Sequence, residues 1–262
     1  MSAFTPRQCQ ALRQLAELWR DTKFCLIGAS ALACQIDLPR QTDDLDISVS
    51  VSLDELAADL PRLQGWKRNT RNEHEWLSSD GIKVDILPAG PPLLAAGEII
   101  WPGTGARMSL AGLRLALEKG IGFEVERGLS IPVAPVAVIA VLKMIAYLDR
   151  PSERERDLHD LAYILERYVS PDDERRFAAE VLDAGVAFEH SSAYLLGHDL
   201  RQIVNGAERK AVDDFVARVR DERHPSVTQG KMIRLGPSSW DQNPDELLAR
   251  VDALVLGFGG PG

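Results

Sequence analysis

The sequence predicts an α+β fold: a small mixed β-sheet with flanking helices, followed by an α-helical C-terminal half. Two observations carry this. Apolar runs of strand length, at 24–27, 45–51 and 82–87, all lie early in the chain, and such short runs bounded by turn residues read as buried strands. Residues 152–220, by contrast, are almost entirely helical in pattern, with apolar positions recurring every three or four residues. The expected domains are therefore 1–134, which carries the sheet, and 135–262, which is helical.

Each element has a local reason. Thr5-Pro6 precedes 7–19, where Leu12, Leu15, Leu18 and Trp19 share a helical stripe. The strand 24–27 ends at Gly28-Ala-Ser30, and a helix over 30–36 is expected to start there. Residues 45–51 form the next strand. A helix over 53–60 follows, with Ser52 as its cap and Pro61 as its stop. Ser79-Asp80-Gly81 supplies an Asp-Gly turn between strands at 74–78 and 82–87. Gly90-Pro-Pro and Trp101-Pro-Gly-Thr-Gly read as loops, and 123–133 as a weaker β region. Pro135 opens a helix to about Tyr147. Further helices are expected at 154–167, 171–184 (Ser170 cap, Pro171 in the first turn, Gly185 as stop), 194–204, 209–220 and 244–256. Gly236-Pro-Ser-Ser reads as a linker and the glycine-rich tail as loose.

With 262 residues, 45% hydrophobic and 26% charged, the chain can bury a sizeable core. Its net charge of −9 supplies no global basic field, so DNA-specific binding is not expected. Arg62, Lys67, Arg68 and Arg71 form a local basic group, a candidate RNA patch that reads first as solvated surface. The three cysteines, Cys9, Cys25 and Cys34, lack metal-ligand spacing, and Cys25 and Cys34 read as small core residues. The five histidines (His74, His159, His190, His198, His224) lack the pairing of a helical zinc site. No apolar run approaches the roughly 18 residues of a membrane span, and the first residues do not read as a leader, so a cytoplasmic location without membrane contact is expected.

The chemistry concentrates in Phe24-Cys-Leu-Ile-Gly-Ala-Ser30 and Arg40-Gln-Thr-Asp-Asp-Leu-Asp46. Asp44 and Asp46 stand at i and i+2 of a strand start and so face one way. Alone, such a pair is more often a plain feature of a strand start, as Thr42 and Asp43 are of a turn. Asp85, inside the apolar run Ile82-Lys-Val-Asp-Ile-Leu87, changes the balance, because a charge there is costly unless it is paired or bound to metal. If the two strands are neighbours, three carboxylates meet beside the Gly28–Ser30 turn, an arrangement suited to Mg²⁺-assisted transfer of a phosphoryl or nucleotidyl group.

Gly-x-Ser, Arg-x-Thr-x-Asp-x-Asp and a later lone Asp resemble the DNA polymerase β type of nucleotidyltransferase. A second block runs from Leu142-Lys-Met-Ile-Ala-Tyr-Leu-Asp-Arg150 into Arg156-Asp-Leu-His-Asp-Leu161. It resembles the AbiEii/AbiGii-type branch, which includes MenT-like tRNA-modifying toxins. Departures are small: Gly28-Ala29-Ser30 stands for a Gly-Gly or Gly-Ser pair, and Arg156 precedes Asp157 where relatives often have Lys.

This resemblance implies a Mg²⁺-dependent enzyme moving an NMP from an NTP to an acceptor hydroxyl. It would be a toxin–antitoxin or abortive-infection toxin acting on tRNA, with a cognate antitoxin as partner. Asp44, Asp46 and Asp85 would hold two Mg²⁺ ions (Mn²⁺ as substitute), with Asp85 also serving as base. Gly28, Ala29, Ser30, Arg40 and Thr42 would line or brace the nucleotide site. Lys143 would contact the triphosphate, and Asp157 and Asp160 would shape its far wall, so that the helical domain completes the cleft. Without the resemblance, Lys143 reads as a snorkelling lysine and the Asp157/Asp160 pair as helix surface. Two alternatives remain: a small-molecule, antibiotic-type nucleotidyltransferase, and a non-catalytic nucleotide-binding interaction protein.

Overall fold

A computed structural model describes residues 4–40, 42–221 and 227–259. The chain divides into two compact units, Met1–Gln35 with Pro39–Ile139, and Ile36–Leu38 with Ala140–Gly262.

In the first unit, α1 (Pro6–Leu18) begins at a reciprocal cap. The Gln8 amide donates to the Thr5 hydroxyl, and the Thr5 amide to the Gln8 side chain. There follow β1 (Phe24–Ile27), α2 (Gly28–Ala33), β2 (Leu45–Val49), α3 (Leu53–Asp59), β3 (Lys67–Arg68), β4 (Glu75–Leu77) and β5 (Lys83–Pro88). Then come α4 (Pro91–Ala96), β6 (Glu98–Ile100), β7 (Arg107–Ser109), α5 (Leu113–Lys119), β8 (Ile121–Glu126), β9 (Leu129–Val133) and α6 (Val136–Asp149), in which the division between units falls. Among the described residues, seven strands form one mixed sheet in the order β3-β4-β5-β2-β1-β9-β8, and β6 pairs with β7 apart from it. β1 is antiparallel to β2 and parallel to β9, while β2 is parallel to β5. The central strands bury Leu26, Leu45, Ile47, Val49, Val84 and Ile86.

Ser52 caps α3 as expected. Its hydroxyl accepts from the Glu55 amide at 3.2 Å, and Glu55 accepts from the Ser52 amide at 2.6 Å. We expect Ser52→Ala to lose about 1 kcal/mol of stability in urea titrations, with no change in the unfolding slope.

The second unit continues α6 into α7 (Glu155–Arg167), α8 (Ala179–Asp183), α9 (Ser191–Ile203), α10 (Gly206–Val219), α11 (Thr228–Leu235), α12 (Ser238–Gln242) and α13 (Asp245–Gly259). α9 and α13 approach at backbone distance. A Cβ on Gly197 would strike the Leu254 carbonyl, and one on Gly257 the Tyr194 carbonyl. Among the described residues no helix is long and apolar enough to cross a membrane.

Several expectations are corrected. The helix expected over 171–184 is broken into a 3₁₀ turn, Glu174–Phe177, and the short α8. Ser170 spends its hydroxyl on Asp172 and Asp173 caps the 3₁₀ turn instead, because short polar side chains compete locally for backbone donors. The buried Arg176 also ties up the Val169 and Ser170 carbonyls. Gly90-Pro-Pro is not a loop but the start of α4, with Pro91 preset for the first helical turn. The 236–239 linker instead carries α12, pinned by the wholly buried Trp240. Cys9 and Cys25 are buried and Cys34 is half-buried. Burial pushes the Cys25 and Cys34 thiols up to about 12, which suits packing rather than nucleophilic work. The glycine-rich tail from 260 and His224 lie outside the described residues.

Candidate active site

Strand register builds the acidic centre. Parallel pairing sets Asp46 opposite Asp85, between the pairs Leu45–Val84 and Ile47–Ile86. Those apolar partners are fully buried, so alternation turns both carboxylates to the other face of the sheet. β5 alternates, and Asp85 lies on its half-buried side.

Asp46 also faces β1, opposite Ile27, and its carboxylate lies against Gly28. Gly28 has φ +70°, and a Cβ there would overlap the Asp46 carboxylate. Glycine is required here for backbone conformation and for space alike.

Hydrogen bonds place Asp44. The buried Ser30 hydroxyl donates to the Asp44 carbonyl at 2.5 Å, and the Thr42 hydroxyl to Asp44 Oδ1 at 2.8 Å. The Gln8 side chain donates to the Thr42 carbonyl at 3.2 Å. The segment before β2 is thereby tied to α1 and α2. Ala29 and Arg40 are half-buried nearby in sequence.

Two further charged residues join this face. β4–β5 pairing sets Glu75 opposite Asp85, and Lys83 stands two residues before Asp85. The Lys83 ammonium lies 3.4 Å from Glu75 Oε2, 3.6 Å from Asp85 Oδ2 and 3.9 Å from Asp44 Oδ2. Neither residue was singled out from sequence. The signal was there, since a hairpin centred on Asp80 pairs 75 with 85, and alternation puts 83 on the face of 85.

Burial raises the Asp85 carboxyl above its ordinary range, opposed by Lys83 and His74. The Asn69 side chain, which donates to Glu75 at 2.6 Å, leads in holding Glu75 below its ordinary value, with burial opposing. Burial pulls the Lys83 ammonium down, but Asp85, Glu75 and Asp44 outweigh it and hold it above its usual value.

Among the described residues, no three His, Cys, Asp or Glu side chains stand as a preformed metal cluster. The donor chemistry nevertheless fits a hard divalent cation. Asp44, Asp46 and Asp85 are all oxygen donors, and Asp85 Oδ1 is buried with no hydrogen-bond partner.

In the second unit, Lys143 of α6 is tied to α7. Its ammonium lies 3.0 Å from Asp157 Oδ1 and 2.6 Å from Asp160 Oδ2. The Asp160 side chain is wholly buried, and Asp157 Oδ2 is buried without a hydrogen-bond partner. Burial pulls Lys143 down, but Asp157 and Asp160 outweigh it and hold it above its ordinary value. The expected site residues thus form two groups: Gly28 to Asp46 with Asp85 in one unit, and Lys143, Asp157 and Asp160 in the other. Neither alternative reading of the second group, a snorkelling lysine or a helix surface, describes this buried triad.

Two members of the local basic group are ion-paired. Arg62 pairs with Asp59 at 3.1 Å and Arg68 with Glu73 at 3.0 Å. His74 stacks on Trp101, and His190 meets Glu246 at 3.1 Å.

Residues 54–242, well over half of the chain, match the family model described as nucleotidyl transferase AbiEii toxin, type IV TA system. Asp85, Lys143, Asp157 and Asp160 fall inside this range, whereas Gly28, Asp44 and Asp46 precede it. No curated protein matches. Among solved structures, the chain is similar to a candidate nucleotidyltransferase from H. pylori, at 14% identity and TM-score 0.41, over 98% of this chain and 96% of that one. On the family match, the chain belongs to the AbiEii nucleotidyl transferase toxins of type IV toxin–antitoxin systems.

Proposed function

We propose that this nucleotidyltransferase is Mg²⁺-dependent, moves an NMP from an NTP to a hydroxyl of tRNA, and releases pyrophosphate. The observation that supports it best is the register that sets Asp46 opposite Asp85, with Asp44 two residues ahead on a braced segment. Mg²⁺, when bound, would polarise the α-phosphate and lower the barrier to attack by the acceptor oxygen.

Asp44, Asp46 and Asp85 would hold the ions, and Asp85 would take the acceptor proton. Gly28, against the Asp46 carboxylate, would with Ala29 keep the site open to phosphate, while Ser30 and Thr42 would fix the position of Asp44. Arg40 would add a cation near the nucleotide. Lys143, with Asp157 and Asp160, would serve the triphosphate. Residues 1–134 carry the transfer centre in this reading, and 135–262 supply the helical part of the enzyme. A cognate antitoxin would restrain the activity in the cell.

The test is incubation with each α-labelled NTP, Mg²⁺ or Mn²⁺, and total tRNA. We expect metal-dependent label on RNA that Asp46→Ala abolishes. Label surviving Asp46→Ala would sink the carboxylate assignment, and metal-dependent label on small acceptors but never on RNA would sink the tRNA reading.

A further inference from the structure

Lys83, on the acidic face, is a cation that the transfer chemistry does not use. Its ammonium stands within 4 Å of three carboxylates carried by three different segments: Glu75 on β4, Asp85 on β5 and Asp44 just before β2. Two of these are carboxylates to which the proposed function gives metal. Asp44 Oδ1 is engaged by Thr42, so Oδ2 is the oxygen turned to Lys83. Asp85 likewise turns Oδ2 to Lys83. The lysine side chain is 42% exposed, and a flexible four-carbon stem lets its head leave for water without disturbing β5.

We propose that Lys83 is a resident counter-cation: it holds Asp44, Asp85 and Glu75 together and must swing aside when a divalent ion takes Asp44 and Asp85. This rests on the metal reading above. Acidic side chains brought onto one face repel unless a cation lies among them. A divalent ion drawn to Asp44 and Asp85 meets the repulsion of an ammonium held within 4 Å of the same two carboxylates. The lysine and the metal therefore oppose each other, and the coupling is reciprocal. Lys83 is thus a positioning residue that sets how much divalent ion the enzyme needs.

Mn²⁺ binding, followed by titration calorimetry and by the electron-spin signal of the free ion, tests this without any substrate. We expect Lys83→Gln to bind Mn²⁺ roughly tenfold more tightly than the wild-type chain, within the usual range of coupling between sites. The metal-free variant should melt at a lower temperature and be raised further by Mn²⁺ than wild type. Lys83→Arg keeps the charge and should stay within about twofold of wild-type affinity, since guanidinium and ammonium differ in shape rather than sign. Equal or weaker Mn²⁺ binding by Lys83→Gln overturns the proposal while leaving the metal reading intact. Failure of the wild-type chain to bind Mn²⁺ overturns both. Should Lys83→Gln not fold, ¹³C-lysine spectra of the wild-type chain decide: the Lys83 Cε resonance shifts on adding Mg²⁺ if the ammonium leaves the carboxylates, and an unmoved resonance overturns the proposal.

Discussion

Lys143→Met should destabilise the protein by about 3–5 kcal/mol, the usual cost of removing one partner from a buried ion pair. Lys143 is 7% exposed at its side chain, and the two carboxylates it serves are 12% and 0% exposed. Methionine fills most of the volume but removes the ammonium that Asp157 and Asp160 share, while Asp160 keeps the His159 ring at 3.0 Å from its Oδ1. Asp157 Oδ2 is already buried without a hydrogen-bond partner. Adding Asp157→Asn and Asp160→Asn should recover about half of the loss or more, because no bare carboxylate then stays buried.

The pH dependence has a definite sign. Lys143 is held above its ordinary value, so its contribution is complete below the ordinary lysine pKa of ~10.4 and is lost as pH rises through the higher folded value. Wild type should therefore lose stability in strong alkali by a slope that Lys143→Met lacks. Urea titrations from neutral pH upward measure both effects. A loss below about 1 kcal/mol for Lys143→Met, the level of a surface pair, would contradict the buried triad.

Gly28→Ala should cost about 3 kcal/mol and most of the transfer activity. Part of the cost is conformational, since φ +70° is a left-handed backbone that a Cβ penalises by roughly 1–2 kcal/mol. The rest is steric, because the new methyl overlaps the Asp46 carboxylate and one of the two must move. Gly128→Ala separates the two parts. Gly128 has φ +80° in the β8–β9 turn, and nothing lies within 4 Å of a Cβ there, so it should cost only the conformational share and leave activity alone. Equal effects of the two alanines in urea titrations and in NTP labelling would show that Gly28 does not position Asp46.

Most helices of the C-terminal half were legible because apolar spacing is local. The Ser52 cap, the Asp-Gly hairpin and α9, α10 and α13 needed only residues close in sequence. The misread stretch at 171–184 failed for a related reason. Ser170, Asp172 and Asp173 all offer caps within four residues, and the choice among them depends on Arg176 folding back onto the Val169 and Ser170 carbonyls. At the acidic face, Gly28 and Ser30 stood out as a turn after a strand, Asp44 and Asp46 as a pair two residues apart, and Asp85 as a charge inside an apolar run. Glu75 and Lys83 did not, because a Glu and a Lys in half-exposed strands are ordinary until pairing shows what they face.

By itself the sequence determined the central strands and the longer helices, the α+β plan and the carboxylates worth noticing, since periodicity and turn chemistry act over a few residues. Tertiary structure alone decided the register that sets Asp46 against Asp85, the closing of Lys83 onto three acids and the burial of Lys143 between Asp157 and Asp160. Those outcomes depend on which strand lies beside which and which helix faces which. Such non-local pairings cost chain entropy and are decided by the whole core rather than by any one segment.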